Sequence, residues 1–198
     1  MKNIFINIVI ILLLGTSYTY SQQQQPFVFT LYGGLFFPSH PNFRATYQSS
    51  SDIVWGGGIC LPEQGLIFAT GDISFFNPKG LADPANDSTI ELSERFIHVG
   101  VLSKQLLSGG IFLRLSGGLS YISIKQTVSG SRSPQRTQEA DKRIGYFGGV
   151  GFEEMLDAEG RASLFADAIY DYRRSQRREL YGDFGGVRIV LGVHLFLF

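Results

Sequence analysis

The twelve residues from Val187 to Phe198 read VRIVLGVHLFLF. Taken alternately, Val187, Ile189, Leu191, Val193, Leu195 and Leu197 are all apolar, and the set between them holds Arg188, Gly192 and His194. Successive side chains of a strand point to opposite faces, so this segment has one face of pure hydrocarbon and one that is mixed. Alternation alone does not say which face is inside.

Seven further segments upstream have strand length and the same alternation: Phe27 to Phe37, Ile53 to Leu61, Leu66 to Phe76, Ile90 to Leu102, Ile111 to Ile124, Arg143 to Met155 and Ala162 to Arg173. With Gly186 to Phe198 they make eight, and no helical-period stretch competes with them. The connections read PSHPNFRATYQSSSD, PEQ, NPKGLADPANDST, SKQLLSGG, KQTVSGSRSPQRTQEADK, LDAEG and RSQRRELYGDFG. Long and short alternate, four long and three short. In an up-and-down barrel odd connections emerge at one end and even ones at the other, so the pattern predicts one elaborate end and one bare end. An even strand number with short turns on one side and long loops on the other is the pattern of an outer-membrane barrel. The expected fold is therefore all-β, an eight-stranded antiparallel up-and-down transmembrane β-barrel.

The distribution of charge decides which face is inside. Asp72, Glu94, Arg114, Glu153, Asp167, Asp171 and Arg188 fall mid-strand, as do His98 and His194, and they need a shared polar interior. Their signs nearly balance, which predicts a lumenal ion network that plugs the barrel, because an eight-stranded barrel is just wide enough for side chains to fill. Trp55, Phe75, Tyr121, Tyr146, Tyr170 and Tyr172 lie toward the long-loop ends of their strands and are expected to form an interfacial aromatic girdle. Paired glycines recur within strands, at Gly56 to Gly58, Gly117-Gly118 and Gly148-Gly149 for example, where a tightly coiled barrel leaves little room beside inward Arg and Tyr.

Composition narrows the function classes. The 198-residue chain carries 17 basic and 17 acidic residues, so nothing points to nucleic acid as a partner. A single cysteine, Cys60, excludes an internal disulfide framework, and the absence of Cys/His spacing around it argues against a structural zinc site. Lys2, an apolar run from Ile4 to Leu14 and the small, polar GTSYTYSQ predict a cleaved secretory signal over residues 1–21, leaving a barrel domain over 22–198. The run is too short to span a bilayer as a helix.

The closing segment resembles the last strand of small eight-stranded outer-membrane β-barrels of Gram-negative bacteria, and WGGGICLPEQGLIFATGDISFF looks like the second and third strands of the outer membrane protein beta-barrel domain family. The resemblance implies residence in the outer membrane and delivery through the barrel-assembly machinery, with Phe196 and Phe198 matching the aromatic assembly signal. Phe198 shares parity with Arg188 and His194 rather than with the apolar set. A bulge near Gly192 would turn it toward lipid.

No cofactor or metal is expected, and the sequence does not read as an enzyme. GGVGFEE is not a dinucleotide fingerprint, since Glu154 stands where a third glycine belongs. His98 and His194 have no serine at an evident partnering position, which leaves a lipid-modifying enzyme as a minor alternative. A transport or secretion-accessory barrel is another, and a soluble lipocalin-like binder is the rival at the level of fold. The leading expectation is a structural or surface-interaction role through long extracellular loops. Arg173, Arg174, Arg177 and Arg178 crowd beyond Tyr170 and Tyr172 and are candidates to contact lipopolysaccharide phosphates, with outer-membrane lipid as the other partner.

Overall fold

A computed structural model describes residues 27–64, 67–83, 88–130, 133–140, 144–156, 160–175 and 182–197. The segment expected to be a secretory signal, and Arg143, Arg177, Arg178 and Phe198, lie outside the described residues.

Eight strands form the wall: β1 (Phe27–Pro38), β2 (Asp52–Gln64), β3 (Ile67–Phe76), β5 (Ser88–Ser108), β6 (Ile111–Gly130), β8 (Ile144–Met155), β9 (Ala162–Tyr172) and β12 (Gly186–Leu197). Each pairs antiparallel with its chain neighbour in the wall, β1 pairs with β12, and the ring is closed. A row of paired residues starting at Leu113 passes through Phe152, Ala166, Leu191, Gly33, Trp55, Phe75 and Arg95 and returns to β6 at Ser123, ten residues from its start. Eight strands with a stagger of ten tilt about 40° from the barrel axis. Among the described residues no helix is long and apolar enough to cross a membrane; the crossing elements here are strands.

Burial alternates along the wall strands, most regularly in β12, where Arg188, Val190, Gly192 and His194 are buried and Val187, Ile189, Leu191 and Leu195 exposed. The exposed set is apolar: Leu31, Trp55, Val99, Leu119, Phe152, Leu164 and Leu191 all face outward, Leu191 with 63% of its surface uncovered. Charge lies on the buried set, with Glu94, Arg114, Glu153, Asp171 and Arg188 at 5% exposure or less. A soluble barrel inverts this arrangement, so the lipocalin-like rival loses its ground. By register the outward apolar band is roughly 25 Å tall, the height of a hydrocarbon core in this class of barrel.

Three features depart from the sequence expectations. The stretch SKQLLSGG is mostly strand: β5 runs down to Ser108 and turns through Gly109 and Gly110, whose φ angles of 61° and 85° suit the two-residue turns that glycine permits. Second, β12 passes Gly192 with no bulge, Tyr32 and Phe165 standing opposite it on either side. Glycine is needed there for clearance instead, because a Cβ would collide with the Phe165 ring and the Leu31 carbonyl oxygen. Phe196 therefore points inward, packing on Val28, Cys60, Phe68 and Leu102. Third, the long connections are themselves folded. They hold a helix, α1 (Phe43–Tyr47), and the strands β4 (Lys79–Asp83), β7 (Ser133–Glu139), β10 (Arg174–Ser175) and β11 (Gly182–Asp183). Strands β4 and β7 flank the upper parts of β5 and β6, extending the wall into a four-stranded sheet above the barrel.

Candidate functional site

The inward residues form successive environments along the lumen. Toward the short-turn end, β5, β6, β8, β9 and β12 contribute a charged cluster. The Arg114 guanidinium donates from Nε and Nη2 to both oxygens of Asp167 (2.9 and 3.0 Å) and from Nη1 to Glu153. Lys104 Nζ and Ser163 Oγ also donate to Glu153 Oε1, at 2.7 and 2.6 Å. Two cations face two carboxylates, and the Phe165 ring centroid lies 4.4 Å from the Arg114 guanidinium. Burying so much charge is tolerable only because each group is paired and hydrogen-bonded.

A second cluster lies higher, on β1, β3, β5, β9 and β12. Arg188 Nε donates to Asp171 Oδ2 (2.8 Å) and Nη1 to Ser74 Oγ (2.9 Å). His98 sits between two carboxylates, Nδ1 being 3.0 Å from Asp72 and Nε2 2.6 Å from Asp171. Arg188 Nη2 also lies 3.2 Å from His98 Nδ1, so the ring ties both carboxylates and the guanidinium into one cluster. Tyr32 donates to Asp72 at 2.6 Å. Between the clusters lies a cavity of about 60 Å³, lined in part by Thr30, Tyr32, Asp72, His98, Arg114 and Asp167. Its walls are mixed, with Leu102, Phe147, Phe165, Ile169 and Val190 beside those polar groups, and the volume suffices for ordered water near the charged side chains.

The lumen changes character above Arg188. Phe36, Phe76, Phe96, Val54 and Ile122, all fully buried, continue into Leu92 and Ile124 and then into loop residues. Phe43 and Tyr47 of α1, Ala140 after β7 and Phe184 before β12 complete this core, so the long connections build one lid over the barrel mouth. The amide of Gln126 donates to the Tyr47 oxygen at 3.0 Å. Burial pushes the Tyr47 phenol up to about 12, so it stays neutral in its apolar setting. Ser39 N–H donates to the Gly185 carbonyl, which clips the first loop to the last.

Of the seven residues expected to share one network, Arg114, Glu153 and Asp167 meet in the lower cluster, and Asp72, Asp171 and Arg188 in the upper. Glu94 joins neither. It stands opposite Phe76 and Ile124, one layer above Arg188, where Arg173 acts on it electrostatically. The expected network is thus two clusters with Glu94 apart from both, because strand tilt sets residues of equal sequence depth at different heights. Arg173 also corrects the lipopolysaccharide reading for that residue: it continues the inward parity of Asp167 and Asp171 and is 2% exposed, whereas Arg174 is exposed. Tyr32, Ser74, Lys104 and Ser163 join the clusters without having been expected there. For Lys104 the sequence does hold a signal, since it continues the inward parity of Glu94 and His98 past the point where the strand was expected to end.

Ser163 stands directly opposite His194, with Glu153 on the next strand. Register across strands, which alternation does not reveal, supplies this serine partner. The geometry is not that of an activated nucleophile, however: Ser163 donates to Glu153 rather than to His194, and both Ser163 and His194 are 0% exposed. Among the described residues no group of His, Cys, Asp and Glu is arranged to hold a metal ion.

Outside, the six girdle aromatics all have outward parity. Trp55 and Phe75 lie side by side with ring centroids 4.8 Å apart, and Tyr146 stacks on Tyr172 at 4.9 Å. By register the six fall within a band about 5 Å deep at the long-loop end.

No protein-family description matches the chain, and no curated protein matches it by sequence. Solved structures do resemble it. Ail, the attachment invasion locus protein of Yersinia pestis, in complex with the heparin analogue sucrose octasulfate, superposes with a TM-score of 0.55 at 9% identity over 87% of this chain and 97% of that one. Neisserial surface protein A gives 0.50 at 12% identity over 85% and 95%. The N-terminal β-barrel domain of Pseudomonas aeruginosa OprF gives 0.50 at 15% identity over 88% and 100%. With its apolar exterior, charged lumen and closed ring of eight, the chain has the fold of the small eight-stranded outer-membrane β-barrels.

Proposed function

We propose that this protein is an integral outer-membrane barrel whose lumen is structural and whose work is done at the cell surface by the folded loop platform. The observation that carries the reading is the filled and lidded lumen. Two ion clusters and an aromatic layer occupy the space that a channel would need, while described residues of three long connections, Phe43, Tyr47, Ala140 and Phe184, pack into a single core. A packed loop core presents a preformed surface, which favours recognition over passage. Ail is an attachment protein that holds a sulfated heparin analogue in its complex, and the same class of role, engagement of a surface or an anionic partner, suits this chain's platform. The buried Ser163 and His194 offer a substrate no access, which weighs against lipid hydrolysis there.

Purified protein in planar bilayers is expected to pass no steady current at moderate voltage. Stable single-channel openings would refute the structural lumen and favour the transport alternative. Orientation has its own test. Proteinase K, which cuts with broad specificity, should when added to intact cells cleave within residues 132–142 and leave 62–64 untouched, while cleavage at the short turns alone would place the platform on the wrong side.

A further inference from the structure

The outer wall carries a second feature that the lumen does not explain. On β5 and β6, directly above the aromatic girdle, Arg95 stands opposite Ser123 and Ser93 opposite Lys125. All four side chains point outward and are exposed. They make a compact quadrilateral with cations on one diagonal and hydroxyls on the other. Cross-strand neighbours of this kind have Cβ atoms about 5 Å apart and diagonal ones about 7–8 Å, so the two flexible cationic side chains can converge on one group.

Its surroundings set its height and its charge. The Arg95 guanidinium lies over the Phe75 ring, 5.6 Å from its centroid, and Phe75 in turn packs on Trp55. Ile97 and Tyr121 form the rung below. By register Arg95 to Lys125 spans roughly 6–14 Å above Trp55, where a bilayer changes from hydrocarbon to headgroup. Two carboxylates share this side of the wall. Glu91 is engaged by Lys79 at 2.7 Å, and Glu139 faces Lys125 from β7 while making a contact of its own. Among the described residues, neither these nor any other carboxylate lies within ion-pair distance of Arg95 or Lys125.

We infer that Ser93, Arg95, Ser123 and Lys125 form a seat for the phosphate of an outer-leaflet lipid, with the lipid's chains descending past Tyr121, Phe75 and Trp55. Arginine supplies a planar fork, lysine a mobile point charge and the serines two hydroxyl donors, the combination that a tetrahedral oxyanion accepts from several sides. Free inorganic phosphate offers the same oxygens, but only a lipid also covers the aromatic shelf beneath. The inference rests on the proposed outer-membrane placement and adds, on a different wall of the barrel, a phosphate contact separate from the one expected at Arg174, Arg177 and Arg178.

The test uses the chain folded into phosphatidylcholine vesicles, with insertion scored by heat-modifiable gel mobility. Phosphorylated lipid A, dephosphorylated lipid A or inorganic phosphate is then added. Bound lipid is measured after detergent extraction, and emission is followed from Trp55, the single tryptophan of the chain. Retention of phosphorylated lipid A is expected to exceed that of the dephosphorylated form by about tenfold or more, to fall with rising salt, and to be lost in Arg95→Gln/Lys125→Gln. Arg95→Lys/Lys125→Arg should restore most of it at unchanged gel mobility. Equal retention by the parent and the Gln variant overturns the seat. Displacement by millimolar inorganic phosphate with no discrimination between the two lipid A forms overturns the lipid as its occupant. A parent that fails to insert overturns the membrane placement itself and the seat with it, an outcome separable from insertion without retention.

Discussion

Arg114→Leu is expected to lower the stability of the folded barrel by about 3–5 kcal/mol, because it removes one of the two cations of a buried ion cluster and leaves both carboxylates charged. The arithmetic is unfavourable in a specific way. Glu153 keeps Lys104 and Ser163, but Asp167 loses both bonds to the guanidinium in a position that is 8% exposed. A carboxylate stranded beside the Phe165 ring has little water to replace them. Unfolding in urea from phospholipid vesicles, followed by Trp55 emission, measures the loss. The double variant Arg114→Leu/Asp167→Leu should recover at least about 2 kcal/mol, since replacing both partners of a buried pair by hydrocarbon is often near neutral. A single variant less than about 1 kcal/mol below the parent would show that the cluster is hydrated and that the cavity beside it is continuous with solvent.

Phe36→Ala should cost a similar amount by a different mechanism. Phe36 is fully buried where the barrel meets its lid, and its ring meets Phe76 and Phe96 edge to face at 4.8 and 5.1 Å. Truncation removes a large apolar side chain and leaves a void that strands held in a closed ring have little freedom to collapse into, so about 3–5 kcal/mol is expected. Phe36→Leu should recover more than half. The Arg188 cluster beneath is untouched, so neither variant should conduct ions. Loss of the lid without loss of stability, seen as new proteolysis near α1 at an unchanged urea midpoint, would mean that the lid and barrel fold separately.

The two variants also separate the two supports of the closed lumen. The lower cluster sets Arg114 and Lys104 against Glu153 and Asp167, and the upper sets Arg188 and His98 against Asp72 and Asp171. The apolar layer above contributes no charge but isolates the upper cluster from the loops. A barrel built in this way resists opening at either level, which is why a surface role and not a channel is proposed.

How much of this is legible beforehand follows from what alternation can and cannot express. Period-two patterning assigns every residue to one of two faces, and the paired connections order the strands, so the eight-stranded barrel, its bare and elaborate ends and its girdle all follow from local sequence. The inward parity of Asp72, Arg114, Glu153, Asp167, Asp171 and Arg188 follows in the same way. Height does not. A tilt of about 40° couples position along a strand to position around the barrel, so which inward residues meet depends on the stagger of the closed ring. Only the register splits the charges into two clusters, lifts Glu94 out of both toward Arg173, and sets Ser163 against His194. Likewise, Gly192 signals a need for small size, but only the neighbouring Phe165 ring shows that the need is clearance rather than a bulge. The lid over the mouth, assembled from Phe43, Tyr47, Ala140 and Phe184, is the clearest case. These residues lie far apart in polar connections without periodicity, and their joint burial exists only once the strands bring the loop ends together.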